Sequence, residues 1–315
     1  MTSNDIAFLF PGQGSQSVGM GKLLAEAYPE ARRVLEQADD VLGFALSRLC
    51  FEGPDDALKQ TQNTQPALLA VSFAAYRVLQ DLGYRPALVA GHSLGEYSAL
   101  VAAGSLDFAD ALRLVRNRGQ YMQEAVPSGT GAMAAILKLP DGQLEHVLEE
   151  AAQGEVVSAA NFNSPDQVVI AGHAAAVKRA MELAKTAGAR RAVLIAVSAP
   201  FHCPLMRPAQ ERLRVELDAT AFADLSIPLI GNWQARKITT GVEARLGLFE
   251  QIPNPVLWTD SIRELARQGI RRFVEAGSGS VLLGLNRNID PSLKGAKFGE
   301  PGDIEKVKEL LTEPT

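Results

Sequence analysis

Cysteine is scarce. Cys50 and Cys203 are the only two in 315 residues, too few for a disulfide framework or, by themselves, a zinc site, and such sparse usage fits a reducing compartment. Histidine is nearly as rare at four residues, so any chemistry that needs an imidazole has few candidates. Positive charge is in deficit: 31 basic against 36 acidic residues leave a formal net charge of −5, which offers no electrostatic footprint for nucleic acid. No apolar run approaches the ~18 residues of a membrane-spanning helix. The opening Met1-Thr2-Ser3-Asn4-Asp5 has an acid where a secretory signal would carry basic residues. These absences predict a cytoplasmic protein with no nucleic-acid and no membrane role. What is present is ordinary for a soluble globular chain, with 47% hydrophobic and 21% charged residues. The length suits one large domain or two smaller ones.

An apolar strand pattern, Ile6 to Phe10, runs into the glycine-containing turn Pro11-Gly12-Gln13-Gly14-Ser15-Gln16. Apolar positions at helical spacing follow over 22–42, 54–60 and 64–81. A short buried strand over 86–90 precedes Gly91-His92-Ser93-Leu94-Gly95, and a helix over about 107–125 starts at the N-cap candidate Asp107. Between 129 and 198 the rhythm becomes β-α-β-β-α-β, a ferredoxin-like unit. Strand and helix alternation returns afterwards, with Ile227 to Gly231, a helix around 255–268, Arg272 to Glu275 and a C-terminal helix over 303–312. The expected organisation is a large α/β part, 1–128 and 199–315, interrupted by the small unit 129–198.

Gly91-His92-Ser93-Leu94-Gly95 is a G-x-S-x-G between an apolar strand and a helix, the context of a nucleophile elbow. The bland alternative is a strand-to-helix turn in which Ser93 caps the helix. A serine hydroxyl needs a base, and histidine is the usual one. His146 lies beside acids in a helix and His173 begins one, which suits surface or cap positions; His92 would be splayed away from its neighbour by the elbow. His202, in Pro200-Phe201-His202-Cys203-Pro204, remains, on a loop stiffened by prolines. Gly12-Gln13-Gly14 and Gly277-Ser278-Gly279 each lack the third glycine of a dinucleotide fingerprint, with Ser17 and Leu282 in its place. A strand-end turn of this kind can instead aim an amide at a developing oxyanion. On the helix over 107–125, Arg118 shares a row with Ala111, Val115 and Met122, on or beside the buried stripe, whereas Arg113 points nearly opposite. An inward arginine needs an anion: either a structural ion pair or a clamp on a substrate carboxylate. Periodicity leaves both open.

Phe10-Pro11-Gly12-Gln13-Gly14-Ser15-Gln16, Gly91-His92-Ser93-Leu94-Gly95-Glu96-Tyr97, Asn117-Arg118-Gly119, Asn161-Phe162-Asn163-Ser164-Pro165, Phe201-His202 and Asn254-Pro255-Val256 occur in this order along the chain. Together they resemble the bacterial malonyl-CoA:acyl carrier protein transacylases of type II fatty acid synthesis, over nearly the whole chain. The resemblance implies an α/β-hydrolase-like core with a parallel sheet and an inserted ferredoxin-like subdomain. It implies that Ser93 is the acylated nucleophile, His202 its base in a Ser-His dyad, Arg118 the clamp for the malonyl carboxylate, and the amides of Gln13 and Leu94 the oxyanion hole. By the same resemblance Gln251 holds the histidine chiefly through its main chain, and Phe201 matches an aromatic that excludes an α-methyl branch. Malonyl-CoA as substrate, no bound cofactor or metal, an acyl carrier protein as partner and a monomeric state follow from it. Lys185, Arg190 and Arg191 are candidates for a basic patch facing the acidic carrier.

Three rivals share parts of this pattern. A free-standing acyltransferase of a polyketide synthase would differ in its carrier. A serine thioesterase or other hydrolase would use the same elbow, but an α/β-hydrolase places its histidine late, after the acid, and no histidine follows His202 here. A non-catalytic binding module should have lost Ser93 or His202, and both are present.

Overall fold

The computed structural model describes residues 5–127, 129–197 and 199–312. Strands β1 (Ile6–Phe10), β2 (Leu88–Gly91), β7 (Leu229–Ile230), β8 (Lys237–Ile238), β9 (Arg272–Ala276) and β10 (Lys294–Phe298) form a six-stranded sheet of order β10-β9-β1-β2-β7-β8. All neighbours pair in parallel except β8, which returns antiparallel on β7. The central strand, Ile-Ala-Phe-Leu-Phe, is buried at every position, as expected where helices cover both faces of a parallel sheet. Phe8 and Phe10 face a core with Leu68, Val71 and Leu100, while Ala7 and Leu9 face one with Trp258, Ile262 and Phe273.

Strands β3 (Gly131–Leu137), β4 (Val157–Ser164), β5 (Gln167–His173) and β6 (Arg191–Ile195) form a separate antiparallel sheet of order β4-β5-β3-β6. With the helices Gln143–Ala152 and Ala174–Thr186 this is the ferredoxin-like arrangement. The strand period of two sorts its side chains: Ala134, Ile136 and Ile170 pack with Val147, Val177 and Ala180, whereas Met133, Val169 and Ala171 join the core of the large body. The small sheet is also tied to the body by main chain. Phe162 N–H donates to Val256 O at 2.9 Å and Val256 N–H to Ala160 O at 2.9 Å. Ser128 and Ser198, where the sequence reading divides the chain, lie outside the described residues.

Two elements differ from the sequence reading. The helical stretch 22–42 is two helices, Lys22–Ala27 and Pro29–Leu42, because Tyr28 is extended and Pro29 starts the second. The strand expected over 227–231 shortens to Leu229–Ile230. Among the described residues, no helix is long and apolar enough to cross a membrane.

Candidate active site

The site is built at the carboxyl ends of β1 and β2, where ligands of open α/β sheets bind. From β2 the chain turns through His92 and Ser93 into the helix Leu94–Ala102. Ser93 sits at φ 53°, ψ −107°, a backbone conformation unfavourable for a residue with a Cβ. The flanking glycines explain how the turn closes: a Cβ on Gly91 would strike the Gly95 carbonyl, and one on Gly95 the Phe10 carbonyl. Ser93 makes no side-chain cap on the helix that follows, so the capping alternative is not realised. Asn232, just beyond β7, braces the turn: Ser93 N–H donates to its Oδ1 at 2.7 Å, and its Nδ2 donates to Gly91 O at 2.7 Å.

Ser93 Oγ lies 2.7 Å from His202 Nε2, and His202 Nδ1 lies 2.9 Å from the main-chain oxygen of Gln251. A carbonyl can only accept, so Nδ1 carries the proton and Nε2 presents its lone pair to the serine hydroxyl. A carbonyl thus occupies the place where a triad would have an acid. His202 is buried, with φ 57°. Burial, and then the charge of Arg118, pull its pKa down to about 3. The imidazole is therefore neutral, and able to take the Ser93 proton, far below the ordinary histidine range. Phosphonylation of Ser93 by a neutral serine-directed reagent should stay flat as pH falls through 6.5 and drop only well below pH 5. A rate that halves near pH 6.5 would contradict this.

Arg118 projects inward from the helix Phe108–Glu124 and is 1% exposed. Its Nη1 donates to Gln65 Oε1 at 2.8 Å, and its Nη2 donates to Gln251 Oε1 at 2.8 Å and Ser93 Oγ at 3.1 Å. The guanidinium also lies 5.5 Å from the centre of the Tyr97 ring. None of these partners is a carboxylate, and Nε has no acceptor among the described residues. A buried guanidinium so arranged is costly unless an anion joins it; the structural ion-pair alternative is absent among the described residues.

These side chains open on a cavity of about 190 Å³ between the two sheets. Gln13 and Leu94 line its floor, and neither amide N–H has a protein acceptor among the described residues. Phe201, Met122, Met133 and Val169 supply apolar wall. All seven residues singled out from the sequence (Gln13, Ser93, Leu94, Arg118, Phe201, His202 and Gln251) thus meet at one cavity or in direct contact with its lining.

The other histidines stand apart from Ser93. His92 Nε2 pairs with Asn163 Oδ1 at 2.9 Å, turned away from the serine as the elbow geometry requires. His173 Nδ1 accepts from Val156 N–H, and His146 is exposed beside Glu150. Cys203 donates to Pro200 O, and burial pushes its thiol up to about 12, which disfavours the thiolate that nucleophilic chemistry needs. Lys185 pairs with Glu182, and Arg190 and Arg191 are exposed at the start of β6; none of the three lines the cavity. Gln65, Asn232, Glu96 and the pair Asn161 and Asn163 were not singled out as individual site residues. For the last two a signal existed, since alternation along β4 puts them on one face. No group of three or more metal-ligating side chains occurs among the described residues.

Residues 7–292 match the family of the acyl transferase domain. The chain is 50% identical over 305 residues to the malonyl CoA-acyl carrier protein transacylase of Escherichia coli, covering 96% of this chain and 99% of that protein. An acyl carrier protein S-malonyltransferase from Vibrio cholerae has the same fold, with a TM-score of 0.94, 48% identity and coverage of 96% and 99% of the two chains. A malonyl-transacylase in complex with a type II polyketide acyl-carrier protein is 45% identical, with a TM-score of 0.95 and coverage of 98% of this chain and 100% of that one. The chain belongs to the malonyl-CoA:acyl carrier protein transacylase family of acyl transferases.

Proposed function

We propose that this protein moves a malonyl group from malonyl-CoA to the phosphopantetheine thiol of an acyl carrier protein, through an ester on Ser93, in the service of fatty acid synthesis. His202 Nε2 takes the Ser93 proton as Oγ attacks the thioester carbonyl. The tetrahedral oxyanion is held by the amides of Gln13 and Leu94. Collapse expels the CoA thiolate, which leaves as the thiol with the proton from His202. In the second half the carrier thiol gives its proton to His202 and attacks the ester; Ser93 leaves and recovers a proton from the imidazolium. The two half-reactions use proton movements and two nucleophiles in turn, Ser93 Oγ and the carrier thiol, and no step calls for a cofactor.

The observation that carries the malonyl reading is Arg118, buried, touching Ser93 Oγ and without a carboxylate partner among the described residues. An acyl group with a free carboxylate completes it, and an acetyl group leaves it unpaired. Phe201, beside the base and on the cavity wall, is the residue to exclude an α-methyl branch. We further assign the protein as a cytoplasmic monomer whose segment 129–198 is an insertion forming one wall of the cleft.

Intact-mass measurement after exposure to equimolar malonyl-, methylmalonyl-, acetyl- and succinyl-CoA tests the proposal. The expected result is a single malonyl adduct that disappears on addition of holo acyl carrier protein. Similarity to a transacylase bound to a polyketide carrier makes such a carrier the second acceptor to offer, and faster discharge onto it would assign the enzyme to polyketide synthesis. Steady CoA release with neither adduct nor acceptor would identify a hydrolase instead.

A further inference from the structure

The Gln251 side chain bridges two buried charges that do not touch. Its Oε1 accepts from Arg118 Nη2 at 2.8 Å, while its Nε2 donates to Glu96 Oε2 at 2.6 Å and to Ser93 O at 3.0 Å. We propose that Glu96 is a positioning residue for acyl-group selectivity: its carboxylate fixes the Gln251 amide so that the amide oxygen holds the Arg118 guanidinium at Ser93. This rests on the malonyl-transfer reading above and adds to it a residue that does not itself touch the acyl group.

A glutamine amide has a donor end and an acceptor end, and neighbours decide which way it faces. The Ser93 carbonyl can only accept, and so can the Glu96 carboxylate when ionised. Together they commit Nε2, which leaves Oε1 for the arginine. Without Glu96, the remaining acceptors for Nε2 are Ser93 O and Asn232 Oδ1, the latter at 3.4 Å. A turned amide would then set donor against donor at the guanidinium. Glu96 is itself held, 1% exposed, in the first turn of the helix that begins at Leu94, with Asn232 N–H donating to Oε2 at 3.4 Å.

The arrangement also separates two demands on Arg118. A carboxylate bonded directly to the guanidinium would order it but would also occupy the place of the substrate's carboxylate. With Gln251 interposed, Glu96 supplies a counter-charge and an orientation while the arginine keeps its need for an anion. Burial drives the Glu96 carboxyl up to about 7 against the opposing effects of Gln251, Asn232 and Arg118, so both protonation states are populated near neutral pH, and in either one an oxygen remains to accept from Gln251 Nε2.

The test compares Glu96→Met, which keeps the bulk but cannot accept comparably, with Glu96→Gln, whose amide oxygen can take the place of Oε2. Three rates are measured: malonyl transfer, acetyl transfer, and phosphonylation of Ser93 by a neutral reagent. Glu96→Met should lower kcat/KM for malonyl-CoA by about tenfold or more, mainly through KM, with a much smaller change for acetyl-CoA and for phosphonylation. Glu96→Gln should keep the malonyl preference. Should the methionine variant not fold, Glu96→Asp, which keeps the carboxylate but draws it back from Gln251 Nε2, must give the same selective loss in smaller measure. Equal losses in all three rates, or an unchanged acyl preference, would overturn the proposal. A wild-type protein that forms no malonyl adduct would overturn the malonyl reading itself, a separate and visible result.

Discussion

Ser93→Ala is expected to abolish the malonyl adduct and to slow transfer to the carrier by a factor on the order of 10⁴ to 10⁶, with the melting temperature close to that of the wild type. The effect is large because no other hydroxyl among the described residues meets both groups: Ser93 Oγ is the atom on which His202 Nε2, at 2.7 Å, and Arg118 Nη2, at 3.1 Å, converge. The fold should survive because the turn is held by Gly91, Gly95 and the two hydrogen bonds of Asn232, which engage main chain rather than the serine side chain. His202→Ala should lose activity on a similar scale. The double variant should be scarcely slower than either single one, since base and nucleophile act as a unit. Full multiplication of the two losses, measured as malonyl transfer in a double-mutant cycle, would mean that the two residues act separately and would refute the dyad.

Arg118→Ala is expected to reduce malonyl transfer by roughly 10² to 10³, about 2.7–4.1 kcal/mol, the scale of leaving one partner of a buried ion pair uncompensated. Acetyl transfer should fall far less, so the malonyl-to-acetyl ratio collapses. The reasoning is one of asymmetry. In the wild type an acetyl group leaves a buried guanidinium with only amide and hydroxyl partners; in the variant that unmet demand is gone for either acyl group. Removing the charge also removes one cause of the low His202 pKa, so the base should titrate higher in the variant and its acid limb should move toward neutral pH. Competition between the two CoA esters, read by intact mass, is the measurement. Equal losses for both would refute the clamp.

How far the sequence could be read depended on whether a constraint was local. The elbow was legible because its requirements, two glycines and a serine between a buried strand and a helix, fall within five consecutive residues. Helical periodicity puts Arg118 on or beside the buried stripe without deciding its role, and its partners Gln65 and Gln251 lie 53 and 133 residues away, where no periodic signal connects them. Gln251 was expected to act chiefly through its main chain; its carbonyl does meet His202, yet its side chain also meets Arg118, Glu96 and Ser93. Asn232 left no trace because an asparagine after a short strand usually serves a turn. Glu96 carries no local signal of a role, since a glutamate in a first helical turn is ordinarily a solvated residue complementing the dipole. Among whole elements, β10 escaped because Lys-Gly-Ala-Lys-Phe has little apolar content and buries only Ala296 and Phe298. The helix Arg207–Ala219 escaped for a related reason, since Ala209, Leu213 and Leu217 are its few buried apolar residues.

The bracing of Ser93 has a consequence for the life of the chain on the ribosome. The serine is joined to His202, Asn232 and Gln251, which follow it by 109, 139 and 158 residues. A nascent chain therefore exposes Ser93 long before it possesses the imidazole that meets its hydroxyl, the side chain that braces its turn, or the carbonyl that orients the imidazole. On the proposed mechanism, truncated chains ending ahead of these residues are expected to have a serine no more reactive than any other and to leave the CoA ester unconsumed. Acylation of Ser93 is in this sense a certificate of completed folding.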